Sequence, residues 1–117
     1  MNVNYTELKA EQIEYVEVAE LSEIPNGERL FIEIDEFNLV VFNIADKIFA
    51  ISDTCSHDDN PLGDGEVNDD LEVICPRHGA RFDIKNGKAV SMPATVDIPA
   101  FPVRIVDGKV EIGLPLE

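Results

Sequence analysis

The sequence predicts an all-β fold, an antiparallel sandwich of small sheets. Short runs of β-branched and aromatic residues recur from Tyr15 onwards. Their apolar side chains repeat with a period of two, which is typical of strands and not of helices. Turn-forming residues separate the runs. With 117 residues, of which 44% are hydrophobic, the chain can form one modest core. We therefore expect a single domain.

Residues 1–14 differ from the rest of the chain. From Thr6 to Glu14 the segment consists mostly of helix-forming residues and contains no turn residue. A helix of this length is marginal without tertiary support, so we expect at most a turn or two. We therefore divide the chain into an N-terminal extension, residues 1–14, and a domain, residues 15–117.

Four strands are predicted in the first half of the domain. The third is apolar at successive positions, which predicts that both of its faces are buried. Asn26-Gly27 and Asp46-Lys47 stand where turns are needed, and an Asn-Gly pair tolerates positive φ. The predicted strands cover residues 15–18, 30–34, 39–44 and 48–51.

The second half contains a hairpin and a long irregular region. Residues 103–106 and 109–112 flank Asp107-Gly108, a favoured two-residue hairpin turn. Between Ser52 and Ala94 the chain is rich in Asp, Asn, Gly and Pro. Two short β-type runs, residues 71–74 and 81–84, interrupt this region. Its glycines are expected to supply turn geometry. They are Gly63, Gly65, Gly79 and Gly87.

The charge excludes two classes of partner. The chain has 24 acidic residues against 9 Lys and Arg, a formal net charge of -15. Nucleic acids and anionic membrane surfaces would both repel such a protein. No apolar run approaches the roughly 18 residues of a membrane helix, and the first residues do not resemble a secretory signal. We expect a cytoplasmic protein.

Both cysteines and both histidines of the chain fall in two short segments. Cys55-Ser56-His57 and Cys75-Pro76-Arg77-His78 each follow a predicted strand. A cysteine and a histidine two or three positions apart can turn both side chains towards one point, and two such loops can complete a metal site. We therefore predict that Cys55, His57, Cys75 and His78 bind metal.

Other interpretations of these residues exist. Single cysteines are often buried apolar residues, and single histidines often have structural roles. A disulfide between Cys55 and Cys75 is disfavoured in the cytoplasm and would leave the histidines unexplained. Two cysteines and two histidines suit zinc as well as iron. However, zinc fingers tend to place two cysteines together and two histidines together, whereas each loop here contains one cysteine and one histidine. Such loops suit a [2Fe-2S] cluster with mixed ligands, because each loop can supply a ligand to both irons.

The spacing Cys-x-His, then 17 residues from Asp58 to Ile74, then Cys-x-x-His resembles that of Rieske-type [2Fe-2S] ferredoxins, which serve bacterial ring-hydroxylating dioxygenases. The similarity extends over about residues 15–112. The segments that carry it, besides the ligand loops, are residues 15–28, 61–65, 75–83 and 91–94.

This resemblance implies an antiparallel Rieske [2Fe-2S] sandwich with two cluster-binding loops at one tip. It implies one Rieske-type cluster, with the cysteines on the inner iron and the histidines on the outer, partly exposed iron. The implied role is that of a monomeric electron carrier between a flavin-dependent ferredoxin reductase and a terminal non-haem iron oxygenase.

The chain itself is not expected to be an enzyme, and no catalytic residue is predicted. An oxygenase needs a separate iron held by further histidines, which the chain lacks, and no flavin or nicotinamide motif is present. The alternative function is a non-redox module that binds zinc in the same ligands, or a cluster-containing sensor or assembly accessory.

Departures from the high-potential Rieske proteins predict a low potential. In those proteins a disulfide braces the two ligand loops. In this chain Asn60 and Arg77 occupy the positions of its two cysteines. The high-potential proteins also donate hydrogen bonds to the sulfurs from a serine and a tyrosine, where this chain has Ala80 and Phe82. With fewer donors, we expect a midpoint near the low end of the Rieske range, about -150 mV or below.

Charges near the ligand loops suggest two further roles. Arg77 and Arg81 either offset the charge of the cluster or lie exposed at the surface. The segment from 58 to 70 has acids but neither Lys nor Arg, so it either keeps the protein soluble or steers basic partners to the cluster. Its acids are Asp58, Asp59, Asp64, Glu66, Asp69 and Asp70.

Overall fold

The computed structural model describes residues 5–34, 37–53, 65–76, 79–91 and 97–116. Within these ranges the chain forms ten strands and three 3-10 helices. The helices are Tyr5–Glu7, Ala10–Gln12 and Leu21–Glu23. The strands are β1 (Ile13–Glu20), β2 (Arg29–Ile34), β3 (Phe37–Ile44), β4 (Lys47–Ser52), β5 (Glu72–Ile74), β6 (Arg81–Asp83), β7 (Ala89–Ser91), β8 (Ala100–Phe101), β9 (Val103–Val106) and β10 (Lys109–Pro115).

The strands form three antiparallel sheets. A four-stranded sheet has the order β2-β3-β4-β8, and two three-stranded sheets have the orders β1-β10-β9 and β5-β6-β7. Every strand pairing in the described ranges is antiparallel. The predicted all-β class and the antiparallel arrangement of small sheets are confirmed.

The four-stranded sheet lies at the centre because β3 is buried on both faces. Along β3, Leu39 and Val41 pack into one core and Val40 and Phe42 into another. Successive side chains of a strand point to opposite faces, so an uninterrupted apolar run needs a partner on each side. The prediction that this strand is buried on both faces is confirmed.

We name the two cores by what surrounds them. The site core lies between the central sheet and β5-β6-β7, and the terminal core lies between the central sheet and β1-β10-β9. The buried members of the site core are Val40, Phe42, Ile51, Val73, Cys75, Ala80, Phe82, Ile84, Ile98 and Ala100. Those of the terminal core are Ala19, Ile24, Leu39, Val41, Ala50, Phe101, Val110, Ile112 and Leu114.

The turn between β3 and β4 lies one residue earlier than predicted. Ala45 and Asp46 occupy it with φ of 54° and 67°. Lys47 already belongs to β4 and pairs with Ile44. A turn at Asp46-Lys47 would shift the register by one residue and turn the apolar side chains of β4 to the wrong face. The amide of Ala45 also donates to Asn26 Oδ1 at 2.8 Å, which stabilises the observed turn.

The two other predicted turns are present, one with a different geometry. Asp107 and Gly108 join β9 to β10 with φ of 51° and 75°, as expected for a tight hairpin. In the turn at Asn26-Gly27, the amide of Glu28 donates to the carbonyl of Pro25 at 2.9 Å, and only Gly27 has a positive φ, of 89°. The pair therefore follows the type II pattern, in which one residue needs positive φ.

Short strands and strand ends differ most from the prediction. Leu71, predicted to begin a strand, instead has φ of 60°, and β5 starts at Glu72. The sequence did not indicate β7 or β8, which have only three and two residues. Strands this short carry too few side chains for a recognisable alternation, so neighbouring strands decide them.

The N-terminal segment contacts the domain. Its two 3-10 turns precede β1, which starts at Ile13 and pairs with β10 from Pro115 onwards. The ring of Tyr5 packs on Phe101 with centroids 5.2 Å apart. The division of the chain into residues 1–14 and 15–117 stays a prediction. Among the described residues, no helix is long and apolar enough to cross a membrane.

Candidate metal centre

Cys75 follows β5 directly and is buried in the site core, with 1% of its surface exposed. Its amide donates to the carbonyl of Ala80 at 2.7 Å, and its carbonyl accepts from the amide of Gly79 at 3.0 Å. These bonds hold the main chain of Cys75 against Gly79 and Ala80, just before β6. Gly79 has φ of 74°, so this position favours glycine. Cys75 forms no disulfide with any residue in the described part of the chain.

A cavity of about 390 Å³ lies beside Cys75. The exposed residues on its rim are Glu66, Pro76 and Gly79, whereas Gly65 is buried. A buried thiol next to a cavity suits a soft metal centre. The thiolate can bind the metal on the side of the cavity, and the core keeps water from its other side. The cavity is lined by Gly65, Glu66, Ile74, Cys75, Pro76 and Gly79.

The wall of this cavity that Gly65 and Glu66 form is fixed to its surroundings by hydrogen bonds. The amide of Ile74 donates to the carbonyl of Glu66 at 2.9 Å, and Val67 forms an isolated bridge with Val73. From the central sheet, Arg29 Nη1 donates to the carbonyl of Gly65 at 2.8 Å. The wall is therefore held from two sheets.

A polar network supports the β5–β6 hairpin. Arg81 Nη1 lies 3.2 Å from Glu72 Oε1, and Asn68 Nδ2 donates to the same oxygen at 2.8 Å. Asn68 Oδ1 in turn accepts the amide of Glu72 at 3.0 Å. The Glu72 side chain is only 13% exposed, whereas that of Arg81 is 42% exposed. Arg81 thus holds a partly buried local ion pair with Glu72.

Three of the four predicted ligands, Cys55, His57 and His78, lie outside the described residues, as do Asn60 and Arg77. Ile51 on β4, four positions before Cys55, packs in the same core as Cys75. Among the described residues, no three Cys, His, Asp or Glu side chains are placed to hold a metal ion. The ligand set therefore stays a prediction.

Ala80 and Phe82 are both fully buried in the site core together with Cys75. Of the predicted turn glycines, Gly79 and Gly87 have positive φ. Gly63 lies outside the described residues. Gly65 is buried, and its carbonyl accepts a hydrogen bond from Arg29, a contact that the sequence did not indicate because 36 positions separate the two residues.

The sequence model of one protein family, the Rieske [2Fe-2S] domain, matches residues 14–102. The chain belongs to this family. The Rieske domain holds one [2Fe-2S] cluster of mixed cysteine and histidine ligation, and the buried thiol of Cys75 beside its cavity fits such a group. The cofactor predicted from the resemblance is confirmed.

Relatives define the type of Rieske protein. The chain is 37% identical over 95 residues to the 3-phenylpropionate/cinnamic acid dioxygenase ferredoxin subunit of Escherichia coli strain K12. The match covers 81% of this chain and 89% of the relative. The chain is thus similar to the ferredoxin subunit of a dioxygenase, its electron-transfer component.

Solved structures agree with this similarity. The ferredoxin of carbazole 1,9a-dioxygenase from Nocardioides aromaticivorans IC177 is similar with a TM-score of 0.79 and 28% identity, covering 84% of this chain and 95% of that one. A complex of reduced oxygenase and oxidized ferredoxin in carbazole 1,9a-dioxygenase contains a chain similar with a TM-score of 0.77 and 28% identity. That match covers 88% of this chain and 97% of the other. This Rieske protein is a ferredoxin, an electron carrier and not itself an enzyme.

Proposed function

We propose that this Rieske ferredoxin passes single electrons from a flavin-dependent ferredoxin reductase to a terminal non-haem iron oxygenase, as a monomer in the cytoplasm. The observation that carries the proposal is the buried Cys75 beside a cavity with an exposed rim. A ferredoxin similar to this chain is found in complex with an oxygenase. The cytoplasm keeps thiol ligands reduced.

Within this function, Cys55 and Cys75 would hold the inner iron, and His57 and His78 the outer iron. The burial of Cys75, its cavity and the spacing of the four residues support the assignment. When bound, the cluster takes up and releases one electron. The protein supplies thiolate and imidazole ligands and hydrogen bonds that set its potential.

The described residues give the site an inner and an outer side. On the inner side, the site core, including Val73, Ala80 and Phe82, excludes water from the sulfur of Cys75. On the outer side, Pro76 and Gly79 are exposed at the rim of the cavity. We expect an electron acceptor to approach the cluster from this exposed rim.

The ligand assignment predicts a complete loss of the Rieske signature on substitution. Purified protein should be reddish brown and, when reduced, give the electron paramagnetic resonance (EPR) spectrum of a cluster with mixed ligands. Cys75→Ser, His57→Ala and His78→Ala should each abolish this spectrum. An unchanged spectrum in any of these variants would show that the substituted residue is not a ligand. Lys47→Met, at an exposed strand position, serves as the control that keeps the spectrum.

The same preparation separates the two candidate functions. Colourless protein that contains one zinc ion per chain would favour the non-redox module over the carrier. For the carrier, mixing reduced protein with a terminal oxygenase should reoxidise the cluster, and a flavin-dependent reductase with NADH should reduce it. Failure of both reactions with every oxygenase system tested, in a protein that carries the cluster, would favour the sensor or assembly accessory.

A further inference from the structure

Arg29 occupies an unusual place for one of the few basic residues of an acidic protein. It lies on β2, at the edge of the central sheet, where it pairs with Phe42 of β3. Its guanidinium carbon lies 4.9 Å from the centroid of the Phe42 ring, and its side chain is partly buried. A ring face attracts a guanidinium and fixes its plane, so the direction of its N–H groups is set before they meet a partner.

The partner of this fixed group is a main-chain carbonyl in the wall of the site cavity. Nη1 donates to the carbonyl of Gly65 at 2.8 Å. Gly65 is buried and lines the cavity beside Cys75. The next residue, Glu66, accepts the amide of Ile74, which immediately precedes Cys75. A continuous series of contacts therefore leads from Phe42 through Arg29, Gly65 and Glu66 to the strand that presents the thiol.

We propose that Arg29 is a positioning residue for the metal centre, one that fixes the Gly65 wall of the cavity and places a positive charge behind it. The inference rests on the proposed function, because it concerns the cluster at Cys75. Arg29 acts through the main chain of Gly65 and is not itself a ligand. A hydrogen bond from a charged donor is among the stronger ones in proteins, so its loss should loosen the wall.

The test compares Arg29→Met with Arg104→Met in protein loaded with its cluster. Arg104 is a matched control because it also stacks on an aromatic ring, with its guanidinium carbon 4.0 Å from the centroid of Tyr15. Its polar partner is Glu111, at 2.6 Å in the β9–β10 hairpin of another sheet. Both substitutions remove one charge and one cation–π contact, but only Arg29→Met frees the cavity wall.

In Arg29→Met we expect loss of the cluster to an iron chelator to become about tenfold faster, the change that follows from losing one charge-assisted hydrogen bond. The midpoint potential should shift downwards, because removing a nearby positive charge disfavours the reduced cluster. Arg104→Met should leave both quantities at the wild-type value, although its urea midpoint falls. If the two variants match in rate and potential, Arg29 has no positioning role.

Arg29→Lys separates geometry from charge and covers the case in which Arg29→Met does not fold. Lysine keeps the charge but has no planar group to stack on Phe42. We expect a potential close to wild type together with faster loss of the cluster. Loss at the wild-type rate would overturn the proposal. A wild-type protein without any cluster would contradict the proposed function itself, an outcome distinct from all of these.

Discussion

At the scale of single residues, the environment of Cys75 explains why a low potential is expected. Ala80 and Phe82 share the site core with Cys75 and carry no side-chain hydrogen-bond donor. Donors to the sulfurs stabilise the added electron, so their absence keeps the potential low. Both side chains are fully buried, which means that they also shield the thiol from water.

A substitution at Phe82 can supply the missing hydrogen-bond donor. Phe82→Tyr adds a hydroxyl within the core that contains Cys75, and we expect the midpoint potential to rise above that of the wild type, itself about -150 mV or below. The measurement is a redox titration followed by optical absorption. Phe101→Tyr is the control, because Phe101 is equally buried but belongs to the terminal core. A wild-type midpoint well above zero, or equal shifts in both variants, would contradict this account.

The sequence could single out Cys75 as a candidate ligand, but it could not indicate Arg29. Cys75 belongs to a pattern of scarce residues with regular spacing, and such patterns are local. Arg29 acts on a carbonyl 36 positions away, and any residue type could have supplied that carbonyl. The two groups come together only in the folded chain, where β2 pairs with β3 and Arg29 reaches the carbonyl of Gly65.

At the scale of elements, the turn between β6 and β7 shows how the site core is closed. Gly87 has φ of 76° and is buried, and its carbonyl accepts the amide of Ile98 at 2.8 Å. A Cβ at this position would collide with the carbonyl oxygen of Ile98. Gly108, in the β9–β10 turn, has nearly the same φ, of 75°, but open space around it. The two glycines therefore differ in packing and not in backbone conformation.

We predict that Gly87→Ala costs clearly more stability than Gly108→Ala. Alanine in the left-handed region costs about 1–2 kcal/mol, which both variants share. The collision with Ile98 adds an overpacking term, so Gly87→Ala should lose about 3 kcal/mol or more. Urea unfolding of the two variants measures the difference. Equal losses would mean that the backbone between Gly87 and Ile98 relaxes and that packing does not restrict this turn.

The N-terminal turns offer a second prediction at this scale. Tyr5 packs on Phe101, which in turn contacts Phe37 with centroids 5.4 Å apart. Removing the ring by Tyr5→Ala should lower the free energy of unfolding by about 1 kcal/mol. The cluster spectrum should not change, because Tyr5 packs against the terminal core. Glu11→Ala, at an exposed position, is the control.

This variant also tests the division of the chain at residue 15. If residues 1–14 are an extension that the metal centre does not need, Tyr5→Ala affects stability alone. Loss of the cluster in this variant would instead show that residues 1–14 belong to the domain that holds the metal centre. Its contact with Phe101 could not be read from the sequence, because a short run of helix-forming residues does not reveal which core it covers.

Strand prediction succeeded where a strand is long enough to show a clear apolar pattern and failed where neighbouring strands decide. β3 has eight residues and an apolar run that requires burial on both faces, so its place at the centre was predictable. β8 has two residues, Ala100 and Phe101, and exists because β4 offers a pairing edge. The positive φ of Leu71 likewise follows from contacts, since its carbonyl accepts the amide of Ile84 at 2.9 Å.

At the scale of the whole molecule, the two cores have different roles, one in forming the metal centre and one in stability. The site core contains Cys75, and the terminal core joins both ends of the chain through β1 and β10. The central sheet contributes to both cores through alternate residues of the same strand. Substitutions in the terminal core should therefore change stability without changing the potential, which is the pattern expected of the Phe101→Tyr control.

The chain has a net charge of -15, and several of its acidic residues lie near the metal centre. Glu66 lies exposed on the rim of the cavity beside Cys75, and Asp69 and Asp70 are exposed in the turn that precedes β5. Fields from such a cluster raise the encounter rate with a basic partner by about tenfold or more at low salt. Salt screens them over a Debye length of about 10 Å at 0.1 M.

We therefore predict that electron delivery to a basic acceptor slows by about tenfold as salt is raised from low ionic strength. Glu66→Gln combined with Asp69→Asn should reduce the rate at low salt and flatten the salt response. Glu11→Gln combined with Glu14→Gln removes the same charge at exposed positions before and in β1, and should change neither. Stopped-flow oxidation of the reduced cluster measures the rate, and redox titration of each variant checks that the driving force is constant. A rate independent of salt, or equal effects of the two double variants, would show that the acids serve only solubility.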